Sequence, residues 1–302
     1  MTSHPPQILV TGAGGQLGSE LMRHAASQGV IATGLTSADL DITDGVMVRQ
    51  HIMASGAAAV VNAAAYTAVD KAEMEQALAY AVNRDGAANL AASCAAAGVP
   101  LIHVSTDYVF DGTKQTPYGE DDPVHPISAY GASKEAGERL VRQNLPRHII
   151  LRTAWVYSAF GHNFVKTMLR LAGERTSVRV VADQHGCPTA AGDLALAILE
   201  LVRLIAKGED LAWGTYHYCG SGSTTWHGFA EAIMMLAAPA LGRKVEVIPI
   251  TTADYPTPAH RPPNSVLDCT RIRQKFGIEP RAWREALVGV VMELQCIGAK
   301  RI

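Results

Sequence analysis

The sequence is poor in the features that mark membrane proteins and nucleic-acid-binding proteins. Charged residues make up 18% of its 302 residues, and the formal net charge of −2 provides no basic surplus for nucleic acid or an anionic membrane surface. The alanine-rich run AAAVVNAAAY is too short and too interrupted to span a bilayer. We therefore expect neither nucleic acid nor a membrane among its partners.

Cysteine is scarce and scattered along the chain. The cysteines form no CxxC pair and have no histidine at metal-ligand spacing, which argues against a zinc site and a disulfide framework. We interpret them as buried or idle thiols, and we do not predict a metal; the cysteines are Cys94, Cys187, Cys219, Cys269 and Cys296. The amino end, MTSHPPQ, also lacks the charged and then apolar pattern of a signal peptide. These absences predict a cytoplasmic protein.

What the first half of the chain does contain is an alternation of apolar strands and helices. The strands are QILVTG, VIATG, AAVVNAAA, PLIHVST and HIILRT, and helical stretches such as QLGSELMRHAASQG and RDGAANLAASCAAAG lie between them. Continuous apolar strands separated by helices indicate a parallel sheet covered on both faces. The sequence therefore predicts an α/β fold with a doubly wound parallel sheet of the Rossmann type.

The pattern loosens beyond Trp155. A helix near NFVKTMLRLAG, a strand VRVV and a further helix are joined by the Pro- and Gly-rich segments DQHGCPT and YPTPAHRPPNS. We expect residues 1–154 to form mainly a dinucleotide-binding domain and 155–302 mainly a smaller, carboxy-terminal substrate-binding region. Some segments of the second region are expected to return to the first.

A glycine-rich turn follows the first strand. In ILVTGAGGQLGSEL, Gly12, Gly15 and Gly18 lie between that strand and an amphipathic helix. Glycines let the backbone turn tightly and approach a pyrophosphate, which then lies at the positive amino end of the helix. The alternative is a purely structural turn, but the flanking strand and helix favour a dinucleotide site.

The residues after the second strand leave the choice between NAD and NADP open. VIATGLTSADLD has neither a clear acidic residue for a ribose hydroxyl nor an arginine for a 2′-phosphate. Asp39 and Asp41 come late in this segment. We place Asp41 and Ile42 near the adenine; the alternative is a helix cap at Asp41 or Thr43.

A tyrosine and a lysine four positions apart are the candidates for acid catalysis. Free tyrosine has a pKa of about 10, so it needs a nearby cation to exchange protons at neutral pH. Lys134 follows Tyr130 on the same face of a predicted helix and can supply that charge. Alone, the pair is more often a solvated helix start. The strand that ends at Thr106, whose own alternative role is a strand-end cap, favours the catalytic interpretation because ligands bind at the carboxyl ends of strands.

Four motifs occur in order and at natural separations: VTGAGGQLG, VNAAAYTAVDKAE, VSTDYVFDG and AYGASKEAGE. Together they make the chain resemble the extended short-chain dehydrogenase/reductase family. Further stretches, from LRTAWVYSAFGHNFVKTMLRLA to AHRPPNSVLD, extend the resemblance over nearly the whole chain. The resemblance implies NADPH- or NADH-dependent reduction of the C4 ketone of a dTDP-sugar, and it suggests a homodimer.

The resemblance also implies a role for each matching residue. It assigns catalysis to Thr106, Tyr130 and Lys134. It places the dinucleotide against Gly12, Gly15, Gln16, Leu17, Asp41, Ile42, Ala63, Ala64, Ala65, Tyr130 and Lys134. It places the sugar nucleotide against Val69, Asp70, Thr106, Asp107, Tyr108, Trp155, Asn163, Gln184 and Arg261.

Some of these residues have simpler interpretations, and some alternative functions stay open. Trp155 has core packing and Asn163 has a helix cap as alternatives, whereas Arg261 suits a pyrophosphate clamp. Tyr108 argues against a 4,6-dehydratase, since dehydratases of the family carry an acid pair at Asp107 and the next position. A reductase or epimerase of another 4-keto sugar nucleotide, and a non-catalytic regulatory subunit of the methionine adenosyltransferase type, remain as alternatives.

Overall fold

A computed structural model describes residues 5–208 and 211–299, with side chains described up to residue 296. Residues 1–4, which hold most of the amino end MTSHPPQ, and the last residues of the predicted second region lie outside the described residues. Within these ranges, no helix is long and apolar enough to cross a membrane.

The centre of the fold is a parallel sheet of six strands. Its order from one edge to the other is β2 (Ile31–Leu35), β1 (Gln7–Thr11), β3 (Ala59–Asn62), β4 (Leu101–Thr106), β5 (His148–Thr153) and β10 (Gly214–His217). The strand order reverses between β1 and β3, where Thr11 pairs with Asn62. In such sheets ligands bind in the crevice at this reversal, outside the carboxyl ends of the strands.

Helices cover both faces of the sheet, as the doubly wound prediction requires. Along β1, Ile8 and Val10 point into the core beneath α1 (Gln16–Ala25) and α8 (Ala191–Ala206), and Leu9 points to the opposite face. That opposite face is covered by α2 (Gly45–Ser55), α5 (Ala87–Ala97) and α6 (Ala129–Asn144). The predicted fold class is confirmed.

The rest of the second half builds a separate apolar core beside the sheet. This part of the chain contains β6 (Val156–Tyr157), α7 (Phe164–Glu174), β7 (Ser177–Val181), β8 (His185–Gly186), β9 (Thr189–Ala190), β11 (Thr224–Thr225), α9 (Trp226–Leu241), β12 (Glu246–Ile250) and α11 (Trp283–Ala299). β7 pairs with β12, β6 with β9 and β8 with β11. Tyr157, Phe229 and Trp283 lie at the centre of this core. The domain boundary at residue 154 stays a prediction, and α8, β10 and α10 (Thr270–Phe276) pack with the first half.

Short elements connect the sheet to the site. Two short helices, α3 (Val69–Ala72) and α4 (Gln76–Tyr80), follow β3 and lead through a π-helical turn at residues 81–86 into α5. A 3-10 turn at residues 107–109 follows directly after the carboxyl end of β4. Two further 3-10 turns occur at residues 26–28 and 252–254. These connections place the residues after β3 and β4 next to the start of α6.

Candidate active site

The glycine turn and the alanine turn meet at the crevice between β1 and β3. Gly12 has a φ of 72°, and a Cβ atom there would lie 2.5 Å from the backbone nitrogen of Ala64. A Cβ atom on Gly18 would overlap the carbonyl oxygen of Gly12. Ala63 and Ala65 flank the contact directly after β3. Only glycine allows this approach, so the turn predicted from sequence is brought against the predicted Ala63–Ala65 turn.

The amino end of α1 has the properties of an anion site. Gly15 is its N-cap residue and provides no side-chain cap, and the first turn has no acidic residue. The first N–H groups of a helix have no partner within the helix, so they are available to an anion such as a pyrophosphate. These residues therefore fit a dinucleotide. Gln16 accepts a hydrogen bond from Asn163 Nδ2 at 3.0 Å, whereas the Leu17 side chain lies in the core.

In the segment after β2, Asp39 lies closer to the sheet than its position in the sequence suggested. Asp39 turns back and accepts hydrogen bonds at its Oδ2 from Thr36 N, at 2.9 Å, and from Thr36 Oγ1, at 2.7 Å. The carboxylate thus lies at the carboxyl end of β2, although sequence position alone suggested that it came too late. Asp41 accepts from Thr43 N and is no helix cap, because Asp44 caps α2. The Ile42 side chain packs in the core.

Tyr130 lies at the start of α6, directly beside the end of β4. The Ser128 side chain caps this helix by accepting from Gly131 N at 3.1 Å. The Tyr130 ring meets the Tyr108 ring edge-on, with 5.7 Å between centroids, and Val69 packs in the same cluster. Burial raises the pKa of Tyr130 to about 12, so its phenol is protonated at neutral pH.

Lys134 is fully buried one helical turn further along. Its Nζ donates to the carbonyl oxygen of Val104 at 2.7 Å, and burial lowers its pKa to about 8. We predicted that Lys134 would lower the pKa of Tyr130, but in this geometry burial dominates and that pKa is raised. One turn further along α6, both carboxylate oxygens of Glu138 accept hydrogen bonds from Arg152: Oε1 from Nε at 2.9 Å and Oε2 from Nη2 at 2.7 Å. Sequence reasoning missed this buried pair.

The hydroxyl group of Thr106, the last residue of β4, lies beside the carboxylate of Asp107, which follows it directly. Thr106 Oγ1 donates to Asp107 Oδ1 at 3.0 Å and accepts from Tyr108 N at 3.2 Å. Asp107 is buried, and among the described residues its Oδ2 has no hydrogen-bond partner. Burial raises the pKa of Asp107 to about 6. Substrate hydroxyl groups are suitable donors for such an oxygen.

Several predicted substrate residues line or adjoin one groove of about 790 Å³. Arg261 and Gln184 line it, together with Trp226, on which Trp155 stacks at 3.6 Å between ring centroids. Trp155 has a φ of 47°, a left-handed conformation that costs energy for a side chain of this size. The guanidinium of Arg261 is held by Asp70, with Nη2 2.8 Å from Oδ2.

Asn163 lies beside the glycine turn, in contact with Gln16. It is the N-cap residue of α7, where its Oδ1 accepts from Lys166 N at 3.1 Å. Its Nδ2 bonds Ser158 O at 2.7 Å as well as Gln16. Asn163 therefore forms the helix cap that we considered as its simpler role. Its side-chain amide also joins α7 to the glycine turn.

Comparison with known proteins identifies the family. Residues 6–296 match the family described as the RmlD substrate binding domain. A curated dTDP-4-dehydrorhamnose reductase of Aggregatibacter actinomycetemcomitans is 46% identical over 94% of this chain and 98% of its own length. One from Sinorhizobium fredii is 45% identical over 97% of this chain and 99% of its own length.

A solved structure gives the same result. The dTDP-4-dehydrorhamnose reductase of Bacillus anthracis, solved in complex with NADP, is 36% identical with a TM-score of 0.88, covering 95% of this chain and 99% of that one. The resemblance to the extended short-chain dehydrogenase/reductases is thereby confirmed. The chain belongs to the RmlD family, the group of extended short-chain dehydrogenase/reductases whose curated members include the dTDP-4-dehydrorhamnose reductases.

Proposed function

We propose that this protein reduces the C4 ketone of dTDP-4-dehydro-L-rhamnose to dTDP-L-rhamnose with NADPH or NADH. The observation that carries the proposal is the burial of Tyr130 at the carboxyl ends of the sheet strands, where the glycine turn also lies. A ketone reduction needs one hydride and one proton. The dinucleotide supplies the hydride when bound, and a phenol beside it is suited to supply the proton.

Tyr130 is proposed as the acid that protonates the O4 oxygen. Its phenol keeps its proton over the physiological pH range, so the acid form is always available. Once the proton has left, a buried phenolate requires a positive charge nearby. Lys134 lies one turn along the same helix face and can stabilise that charge.

Thr106 and Asp107 are proposed to orient the sugar. In the present geometry the Thr106 hydroxyl donates to Asp107, so a hydrogen bond to the ketone requires the hydroxyl to rotate. Asp107 is a carboxyl group whose Oδ2 is without a partner in the described part of the chain, and it can accept from a sugar hydroxyl. The two side chains together discriminate a hydroxylated sugar from a plain ketone.

The groove beside Trp155 is proposed to hold the dTDP portion. Arg261 presents a planar guanidinium that can bind a diphosphate bidentately, and Asp70 keeps it oriented until then. Gln184 lies in the same groove, with its Nε2 donating to Thr252 Oγ1 at 3.0 Å. Asn163, in contact with Gln16, is proposed to meet the substrate from the cofactor side. A homodimer and a cytoplasmic location are further proposals that rest on family membership.

The test is an absorbance assay of the reduced dinucleotide with enzymatically prepared dTDP-4-dehydro-L-rhamnose. We expect oxidation of NADPH or NADH, and NMR of the product should show the L-rhamno configuration at C4. The Tyr130→Phe variant should retain cofactor binding and lose turnover. Near wild-type turnover in that variant would show that another group supplies the proton. A product of different C4 configuration would favour a different 4-keto sugar nucleotide.

A further inference from the structure

Three cysteines that are far apart in the sequence line one cavity behind the substrate groove. Cys187, Cys219 and Cys269 all border a cavity of about 530 Å³. Cys187 follows β8, Cys219 follows β10, and Cys269 directly precedes α10. The Sγ atoms of Cys219 and Cys269 are 3.6 Å apart. The fold therefore gathers thiols that sequence reasoning treated as scattered.

The surroundings of this thiol pair do not indicate a metal site. In the described ranges, no group of histidine, cysteine, aspartate or glutamate side chains is arranged to hold a metal ion. The thiols have one another and a backbone carbonyl as neighbours: Cys219 Sγ donates to Leu267 O at 3.8 Å. Two adjacent thiols without a metal can instead exchange electrons with a disulfide.

Small molecules in solvent can reach the pair. Cys219 is buried, but Cys269 is partly exposed, and Ser221, Gly222 and Asp268 on the rim of the cavity are exposed. The hydrogen bond that the Cys219 thiol makes with Cys187 raises the pKa of Cys219, so it resists ionisation. Cys269 is thus the thiol placed to react first with a molecule from outside.

We propose that Cys219 and Cys269 form a site of reversible oxidation that closes to a disulfide by exchange with a small disulfide such as glutathione disulfide. Cys269 loses its proton and attacks one sulfur of the small disulfide, which releases one small thiol and leaves a mixed disulfide. Cys219 then attacks the Cys269 sulfur and releases the second small thiol. The pair loses two electrons and two protons, and the small disulfide gains both.

Bond formation requires only a small local movement. The sulfur atoms must approach from 3.6 Å to a bond length of about 2 Å. Cys269 lies between the loop that ends at Asp268 and the seven-residue helix α10, so the backbone can shift without breaking a sheet strand. Cys219 follows a sheet strand and provides the fixed partner.

Closure of this disulfide would act on the substrate groove. Cys187 and Cys219 pack in one apolar cluster with Ala154, and Trp155 and Cys269 pack against that cluster. Trp155 is held in a left-handed conformation, and a Cβ atom on Gly186, next to Cys187, would overlap the Trp155 ring. A shift in the cluster therefore displaces Trp155. We expect oxidation to raise the KM for the sugar nucleotide more than it lowers kcat.

The experiment uses the full chain carrying Cys296→Ser, which removes the exposed cysteine and so prevents cross-linking between molecules. The protein is incubated with glutathione disulfide, digested without reductant and analysed by mass spectrometry. We expect a peptide pair linked through Cys219 and Cys269, and its loss after dithiothreitol. This readout is independent of the proposed activity. A link through Cys187 instead, or glutathione retained on Cys269 without a link, would overturn the pairing.

The activity arm tests the effect on the groove. Oxidised protein should show a KM for the sugar nucleotide raised by on the order of tenfold, restored by dithiothreitol. In the Cys269→Ser and Cys269→Ala variants, oxidation should no longer raise the KM. In the Cys94→Ala variant, which removes a buried thiol from another core, oxidation should still raise it. If sensitivity persists in both Cys269 variants, or if fully linked protein keeps its KM, the coupling to Trp155 is wrong.

Discussion

Arg261 and Asp70 are joined by a two-point ion pair, with Nη1 3.0 Å from Oδ1 and Nη2 2.8 Å from Oδ2. The family resemblance implied that both residues lie near the substrate, without indicating that they contact each other. The Asp70 carboxylate occupies the planar fork that a diphosphate would use. In the proposed binding mode, the diphosphate has to share this fork with the Asp70 carboxylate or displace it.

Replacing Arg261 by lysine tests the role of the fork. A lysine ammonium keeps the charge but cannot bind two oxygens in one plane. We expect Arg261→Lys to raise the KM for the sugar nucleotide roughly tenfold, with a smaller effect on kcat. Steady-state kinetics measure both constants. Arg170→Lys, at an exposed pair with Glu174 on α7, is the matched control and should change neither. An unchanged KM in Arg261→Lys would remove Arg261 from the substrate site.

The ionisation of Lys134 predicts the alkaline limit of the reaction. Burial lowers its pKa to about 8, so the ammonium is present below this pH and is lost as the pH rises through it. Tyr130, with a pKa raised to about 12, stays protonated over the same range. We expect kcat/KM for ketone reduction to fall above about pH 8, approaching tenfold per pH unit.

Lys134→Arg is the matched variant for this pH profile. An arginine stays charged throughout this range, so its residual activity should lose the decline near pH 8. The measurement is a pH series of cofactor oxidation at saturating dinucleotide. The same decline in Lys134→Arg would assign it to a different group.

The parts of the fold that local sequence determines were predictable. The apolar strands and the glycine turn appear where their patterns indicated, because burial on both faces requires continuous apolar runs and a tight turn requires glycine. The helix α6 likewise begins at Ala129, beside Tyr130. Elements with mixed patterns were not predicted, such as α2, in which only Val48 and Ile52 are buried.

What could not be predicted depends on contacts between distant parts of the chain. Cys219 and Cys269 are separated by a β-α-β stretch, so no spacing rule relates them. Glu138 and Arg152 look like surface charges in the sequence. In the fold they are buried and form an ion pair, in which each charge has the other as its partner. The location of Asp39 depends on a tight turn whose direction its neighbours do not specify.

Alanine substitutions at Gly12 and Gly29 allow the effect of a close contact on stability to be separated from the effect of backbone conformation. Their φ values are 72° and 67°, but a Cβ atom on Gly12 would press on Ala64, and one on Gly29 would meet nothing within 4 Å. We expect Gly29→Ala to lower the free energy of unfolding by about 1 kcal/mol, from the left-handed conformation alone. Gly12→Ala should lower it by roughly 2–5 kcal/mol, since overpacking adds to that strain. Urea unfolding measures both, and equal losses would refute the contact.

The Asp39 carboxylate provides a test of cofactor preference. It is bound to Thr36, and a Cβ atom on Gly14 of the glycine turn would lie 3.6 Å from Thr36 Cγ2, so the carboxylate lies near the turn. An acidic group at the end of the second strand accepts from a ribose hydroxyl and repels a 2′-phosphate. Asp39→Asn keeps an oxygen for Thr36 but removes the charge.

We therefore expect Asp39→Asn to raise the ratio of kcat/KM for NADPH to that for NADH several-fold, mainly through a lower KM for NADPH. Asp44→Asn is the matched control, because the Asp44 carboxylate is exposed in the same loop but caps α2, a role that asparagine can keep. Its ratio should stay at the wild-type value, since Asp44 lies beyond the turn that returns Asp39 to the strand end. The measurement is the rate with each dinucleotide at one fixed sugar nucleotide concentration. If both variants shift the ratio equally, the general negative charge of this loop determines the preference, and the specific location of Asp39 does not.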